Sequence, residues 1–125
     1  MRYLCMIYGT DDQTRHLTPL EMDMYHNEHL DYDAQLTASG HLVASEALQS
    51  ADTAATVRMR RNKLSVTDGP FAETSEQLGG FYLVEAATEE EALQLAAGIP
   101  SARFSSIEVR PVKDIAGSAN AGRTQ

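Results

Sequence analysis

Two stretches of this chain are apolar at successive positions rather than at every second one: Tyr3-Leu4-Cys5-Met6-Ile7-Tyr8 near the start, and Phe81-Tyr82-Leu83-Val84 in the second half. A strand with one wetted face alternates; a strand apolar at every position needs cover on both faces. The chain must therefore build a sheet with these two strands at its centre, and find something to lay on each side of it.

One side is supplied locally, because a helix with readable ends follows each run. Thr18-Pro19-Leu20-Glu21 is a capping box with Pro at the first helical position. This helix should run from Thr18 to about Ser39 and stop at Gly40. Met22, Tyr25, His29, Tyr32 and Leu36 form a single stripe along it, which should face the sheet. Thr88 caps a second helix, with Glu89, Glu90 and Glu91 at its positive end and Gly98 and Pro100 closing it.

Between these units, His41–Leu48 reads as a strand. Thr56–Arg60 and Lys63–Thr67 read as a hairpin about Arg61-Asn62. Val57, Met59, Leu64 and Val66 alternate with polar residues, so the hairpin should be half buried. Asp68-Gly69-Pro70-Phe71 is a turn, Ala72–Leu78 has room for one helical turn, and Gly9 to Leu17 reads as a loop. Ile107–Val112 is the last strand, and Pro111 suits a sheet edge or a strand end. The order is β-α-β, hairpin, β-α-β, which points to a ferredoxin-like α+β sheet, mainly antiparallel, with both helices on one face. Residues 1–113 form one domain; residues 114–125 are small and polar and read as a disordered tail.

Charge narrows the function. Ten Lys and Arg against eighteen Asp and Glu give a net charge of −8, which argues against duplex nucleic acid and against an anionic membrane surface. Arg58, Arg60, Arg61 and Lys63 form one basic cluster at the hairpin tip, without interleaved aromatics, and read as a solvated turn. The single cysteine, Cys5, cannot pair internally, and no apolar run approaches a membrane span. A cytoplasmic location follows as the default.

Val66-Thr67-Asp68-Gly69-Pro70-Phe71-Ala72-Glu73-Thr74, followed by Glu76-Gln77-Leu78-Gly79-Gly80-Phe81-Tyr82-Leu83, resembles the DGPF branch of the YCII-related family. The opening Arg2–Tyr8, the segment Ala44-Ser45-Glu46-Ala47-Leu48-Gln49 and the close Val109-Arg110-Pro111-Val112 match as well; Ser75 departs from a frequent Lys. The resemblance implies a small bacterial protein of the dimeric α+β barrel type. It implies a His followed by Leu on the first helix as acid-base residue, here His29-Leu30, working with an Asp. It also implies a relation to muconolactone-isomerase-like enzymes and to a dechlorinating relative. Members tend to be encoded near extracytoplasmic-function sigma factors, which favours regulation as the alternative.

Among the residues, His29 is the natural general acid or base, since imidazole both takes and gives a proton near neutrality. Asp68, at a strand end, would orient it; the competing reading is an Asx-turn before Gly69. Tyr25 and Tyr32 would contact substrate, with Glu46, Arg58, Gly69, Pro70 and Phe71 completing the pocket. Glu46 and Arg58 lie on neighbouring strands in this reading and could pair. His26, His29 and Asp33 lack the HExxH pattern, so no metal is expected, and no cofactor. The expectation is an isomerase- or lyase-like acid-base enzyme acting on a small molecule. The alternative is a non-catalytic binding or regulatory module linked to a sigma factor. The uncovered sheet face should pack in a homodimer.

Overall fold

The computed structural model describes residues 1–10 and 12–115. Its elements are β1 (Arg2–Gly9), a one-turn α1 (Asp12–Arg15), α2 (Pro19–Ala38), β2 (Leu42–Ala47), β3 (Ala55–Arg60), β4 (Lys63–Asp68), β5 (Gln77–Glu85), α3 (Glu89–Ala97) and β6 (Ser106–Pro111). Short 3-10 turns lie at Ala51–Thr53 and Pro100–Arg103. The region read as a loop holds α1, and 72–76 forms bends instead of a helical turn.

The two apolar runs are the paired central strands. β1 and β5 are antiparallel, with Cys5 opposite Tyr82 and Tyr3 opposite Val84. β2 pairs with β5 and β6 with β1, giving the order β2-β5-β1-β6, the ferredoxin-like arrangement once the β3–β4 hairpin is set aside. Pro111 falls on the edge strand β6. Tyr3, Cys5, Tyr82 and Val84 point to one face and are buried with Leu36 of α2, Ala92 and Ala96 of α3, and Ile99. Both helices therefore cover the same face. Leu4 opposite Leu83 and Met6 opposite Phe81 form the other face, on which neither helix lies; each is half-buried.

The barrel expected for this fold does not close. Its would-be ends, β2 and β6, are the two edges of an open four-stranded sheet, and β3 and β4 form a separate two-stranded sheet instead of extending it. Four strands are too few to curl into a barrel of their own.

The hairpin also departs from the half-buried expectation. Arg61 and Asn62 take positive φ of 51° and 63° at its tip, as a tight hairpin turn requires. Yet Val57, Met59, Leu64 and Val66 are 63%, 59%, 64% and 61% exposed. The alternation is real, but the hairpin pairs only with itself as a separate two-stranded sheet, and its apolar face is left exposed.

The helix ends follow local chemistry. Glu21 N–H donates to Thr18 Oγ1 at 3.1 Å, and Thr18 N–H donates to Glu21 Oε1 at 2.9 Å. Those bonds hold the Glu21 carboxyl below its usual range. Thr18→Ala should cost about 1 kcal/mol, read as a melting temperature lower by a few degrees; an unchanged melt would show that packing alone holds the α2 start.

Cys5 is 1% exposed, and burial pushes its thiol from 9.0 up to about 11. The unfolded thiol ionises first as pH rises, so stability is intact below pH 9 and declines between pH 9 and 11. The loss should be on the order of 2–3 kcal/mol, and Cys5→Ala should flatten that part of a denaturant-midpoint profile against pH.

Candidate active site

A cleft of about 830 Å³ opens between the N-terminal half of α2 and the sheet. Its floor is made possible by glycine. At Gly80, on the helix-facing side of β5, a Cβ would stand 2.8 Å from the Glu46 carbonyl oxygen of β2, so only glycine lets the strands approach so closely. The preceding Gly79 falls where the β1–β5 register shifts. Two successive positions without side chains leave room under the helix. At one end Gln13 of α1 donates to the Phe104 carbonyl and its Oε1 accepts from Ser105 Oγ at 3.2 Å, latching α1 across the opening.

His29 lines this cleft, half-buried. Its Nδ1 is 3.2 Å from the Tyr25 carbonyl oxygen and its Nε2 is 3.4 Å from Ser101 Oγ. A carbonyl only accepts, so Nδ1 carries the hydrogen in this bond and the neutral ring presents its lone pair at Nε2, toward Ser101 and the cleft. Tyr25 stands edge-on to the imidazole at 4.7 Å and packs on Phe104 at 5.3 Å. Burial raises the Tyr25 phenol, which stays a neutral donor.

Asp33, one turn further along α2, lines the same cleft. Its Oδ2 accepts from Ser45 Oγ at 3.0 Å. Tyr82 lies beside it, its phenol driven up first by burial and then by the Asp33 carboxylate.

Of the sequence-predicted residues, His29, Tyr25 and Glu46 line the cleft. Tyr32 does not: its hydroxyl donates to the Leu95 carbonyl at 2.6 Å, tying α2 to α3. Arg58, Asp68, Gly69, Pro70 and Phe71 also lie outside the lining. Asp68 is an exposed residue at the end of β4, opposite Ala55, and neither ring nitrogen of His29 faces it. Gly69 has φ +98° and binds the hairpin base, its N–H donating to the Ala54 carbonyl at 2.7 Å and its carbonyl accepting from Thr56 Oγ1 at 2.9 Å. Phe71 is 80% exposed. Glu46 and Arg58 sit in different sheets, so they are not on neighbouring strands as expected, and no ion pair joins them.

Nothing in the sequence marks Ser101 or Tyr82 as a site residue, and Asp33 stands out there only beside His26 and His29 as a possible metal ligand. For Asp33 a signal existed, the four-residue spacing from His29 that stacks both on one helix face. Ser101 lies 72 positions from His29 and carries no local signal. Among the described residues no three His, Cys, Asp or Glu are grouped to hold a metal, and no helix is long and apolar enough to cross a membrane.

The geometry defines a ferredoxin-like α+β domain with an imidazole-bearing cleft under its long helix. Residues 1–116 match the family model of the YCII-related domain, and the chain belongs to that family. It is 34% identical over 114 residues to an uncharacterised protein of Rhizobium meliloti, covering 90% of this chain and 92% of that one. Its fold is similar to that of the 5-chloro-2-hydroxyhydroquinone dehydrochlorinase of Burkholderia phenoliruptrix, solved with 2,5-dihydroxybenzoquinone. The TM-score is 0.54 at 16% identity, over 90% of this chain and 94% of that one.

Proposed function

We propose that the protein is a small-molecule acid-base enzyme of the isomerase or lyase type, from the DGPF branch of its family, acting in the cytoplasm. The observation that carries this reading is the fixed imidazole of His29, with Nδ1 spent on the Tyr25 carbonyl and Nε2 free to take a proton at the cleft. A ring fixed by a backbone carbonyl keeps one tautomer and one orientation through the reaction. Ser101, 3% exposed, stands at Nε2 and can pass a proton between ring and substrate. A general base of this kind contributes about 10²–10⁴-fold to a proton transfer. The protein of similar fold is named a dehydrochlorinase, and proton transfer by a general acid or base is a step common to lyases and isomerases.

The test is deuterium uptake from D2O into small enolisable lactones and ketones, followed by NMR. The protein should accelerate uptake into at least one of them. No acceleration across the panel would sink the catalytic reading and favour a binding or regulatory module.

The same reading includes a homodimer through the helix-free face. Leu4, Met6, Phe81 and Leu83 lie half-buried on that face, away from both helices, and the hairpin adds an exposed apolar surface. Sedimentation equilibrium at micromolar concentration should give twice the 13.7 kDa of the chain. A species at the monomer mass would overturn it.

A further inference from the structure

We propose that Ser101 is a nucleophile activated by His29, and that the cleft hydrolyses small uncharged carboxylic esters through an acyl-serine. This is a second activity, beyond the isomerase or lyase reading, with which it shares His29. Three groups stand in the order such chemistry needs. His29 Nδ1 donates to the Tyr25 carbonyl at 3.2 Å, and the Nε2 lone pair faces Ser101 Oγ at 3.4 Å. The serine O–H therefore donates to the ring, the arrangement in which an imidazole takes a nucleophile's proton. A contact of this length between nucleophile and base tightens when substrate is bound.

Among the described residues Ser101 is the one buried polar side chain, 3% exposed. A core serine that only satisfies itself uses the backbone nearby; this one reaches a ring 72 positions away. The main chain beneath it is fixed. Its carbonyl accepts from the N–H of Phe104 at 3.2 Å and of Ser105 at 2.8 Å, and Pro100 opens the turn. Ser101 lines the cleft, so a bound carbonyl carbon can reach it.

In the first half-reaction Ser101 Oγ bonds to the ester carbonyl carbon while its proton passes to Nε2. The carbonyl electron pair moves to oxygen, where the Tyr25 phenol, a neutral donor that interacts with Ser101, can meet the charge. The pair returns, the bond from the carbonyl carbon to the alcohol oxygen breaks, and Nε2 gives the alcohol its proton. In the second half-reaction water attacks the acyl-serine, His29 takes the water's proton, and Oγ leaves and receives it. Ester and water become acid and alcohol. The lining selects the ester. Ile7, Leu30 and Leu78 are apolar, Asp33 and Glu46 are acidic, and no Lys or Arg is among the described lining residues. An uncharged ester fits these walls, and the carboxylate product meets no cation to retain it.

Two probes test this. p-Nitrophenyl acetate reads turnover, and diisopropyl fluorophosphate, whose phosphoryl group stays on a serine that displaces fluoride, reads the nucleophile. Wild-type protein should hydrolyse the acetate and carry the phosphoryl group on Ser101, located by fragmentation mass spectrometry. Ser101→Ala should lose both, and His29→Gln should slow labelling by about 10²–10⁴-fold. If Ser101→Ala fails to fold, Ser101→Cys decides: the acetyl group should then reside on the thiol as a hydroxylamine-labile thioester. No label on Ser101, turnover unchanged in Ser101→Ala, or labelling indifferent to His29→Gln overturns the proposal. Labelled Ser101 without deuterium uptake keeps the esterase and removes the isomerase or lyase reading; uptake without label does the reverse.

Discussion

Ile99→Ala should lower the unfolding free energy by about 3–4 kcal/mol, within the range for emptying a fully buried aliphatic site. Ile99 is 2% exposed and is among the three largest side chains with essentially no surface, beside Val84 and Cys5. It lies where α3 ends, its N–H donating to the Ala96 carbonyl at 3.1 Å. Its own carbonyl accepts from Ala102 at 2.9 Å and starts the turn that carries Ser101. Little around it can collapse inward, because Ala92 and Ala96 are already small and Cys5 and Val84 are held by the β1–β5 ladder. The cavity should therefore persist, and the turn that sets Ser101 against His29 should loosen with it. Urea unfolding checks the first part through a shift in midpoint at unchanged slope. A loss below about 1 kcal/mol would mean that the α3 exit repacks freely.

That coupling explains which parts of this molecule the sequence makes legible. Local rules acted where they were read: the capping box at Thr18 and Glu21 forms, the stripe from Met22 to Leu36 faces the sheet, and Arg61-Asn62 makes the hairpin turn. Each depends on neighbours within one helical turn or one β-turn. The alternation of Val57, Met59, Leu64 and Val66 correctly marked a strand face but not what would cover it, since periodicity identifies an apolar face without naming its partner. The barrel failed for a related reason: closure is a property of strand edges, and nothing in Leu42–Ala47 or Ser106–Pro111 declares whether those edges meet. The site was half readable. His29 lies on a face with its own period, whereas Ser101 and Ser45 reach the cleft only through the sheet order. Asp68-Gly69 is a short polar motif whose glycine serves the hairpin base at φ +98°.

His29→Gln should reduce the proton-transfer rate by about 10²–10⁴-fold while changing stability by less than about 1 kcal/mol. The two halves of this expectation test different things. Gln keeps an amide that can donate, so the cleft wall is not stripped of polarity, but it has no basic nitrogen with which to take a proton. If the imidazole were core filler, its removal would leave a cavity and unpaired neighbours at a cost of about 2–4 kcal/mol. The structure argues otherwise: the ring is half-buried, opens onto a cleft of about 830 Å³, and its partners are a helix carbonyl and a hydroxyl. The Tyr25 carbonyl already has a place in the backbone ladder of α2, and Ser101 Oγ can turn to the cleft, so neither is stranded. Thermal melts and deuterium uptake on the same preparation separate the outcomes. A variant that melts with the wild type but has lost uptake identifies His29 as the proton-transfer group. One that melts many degrees lower while retaining uptake makes it a structural residue and moves the chemistry to another group in the cleft.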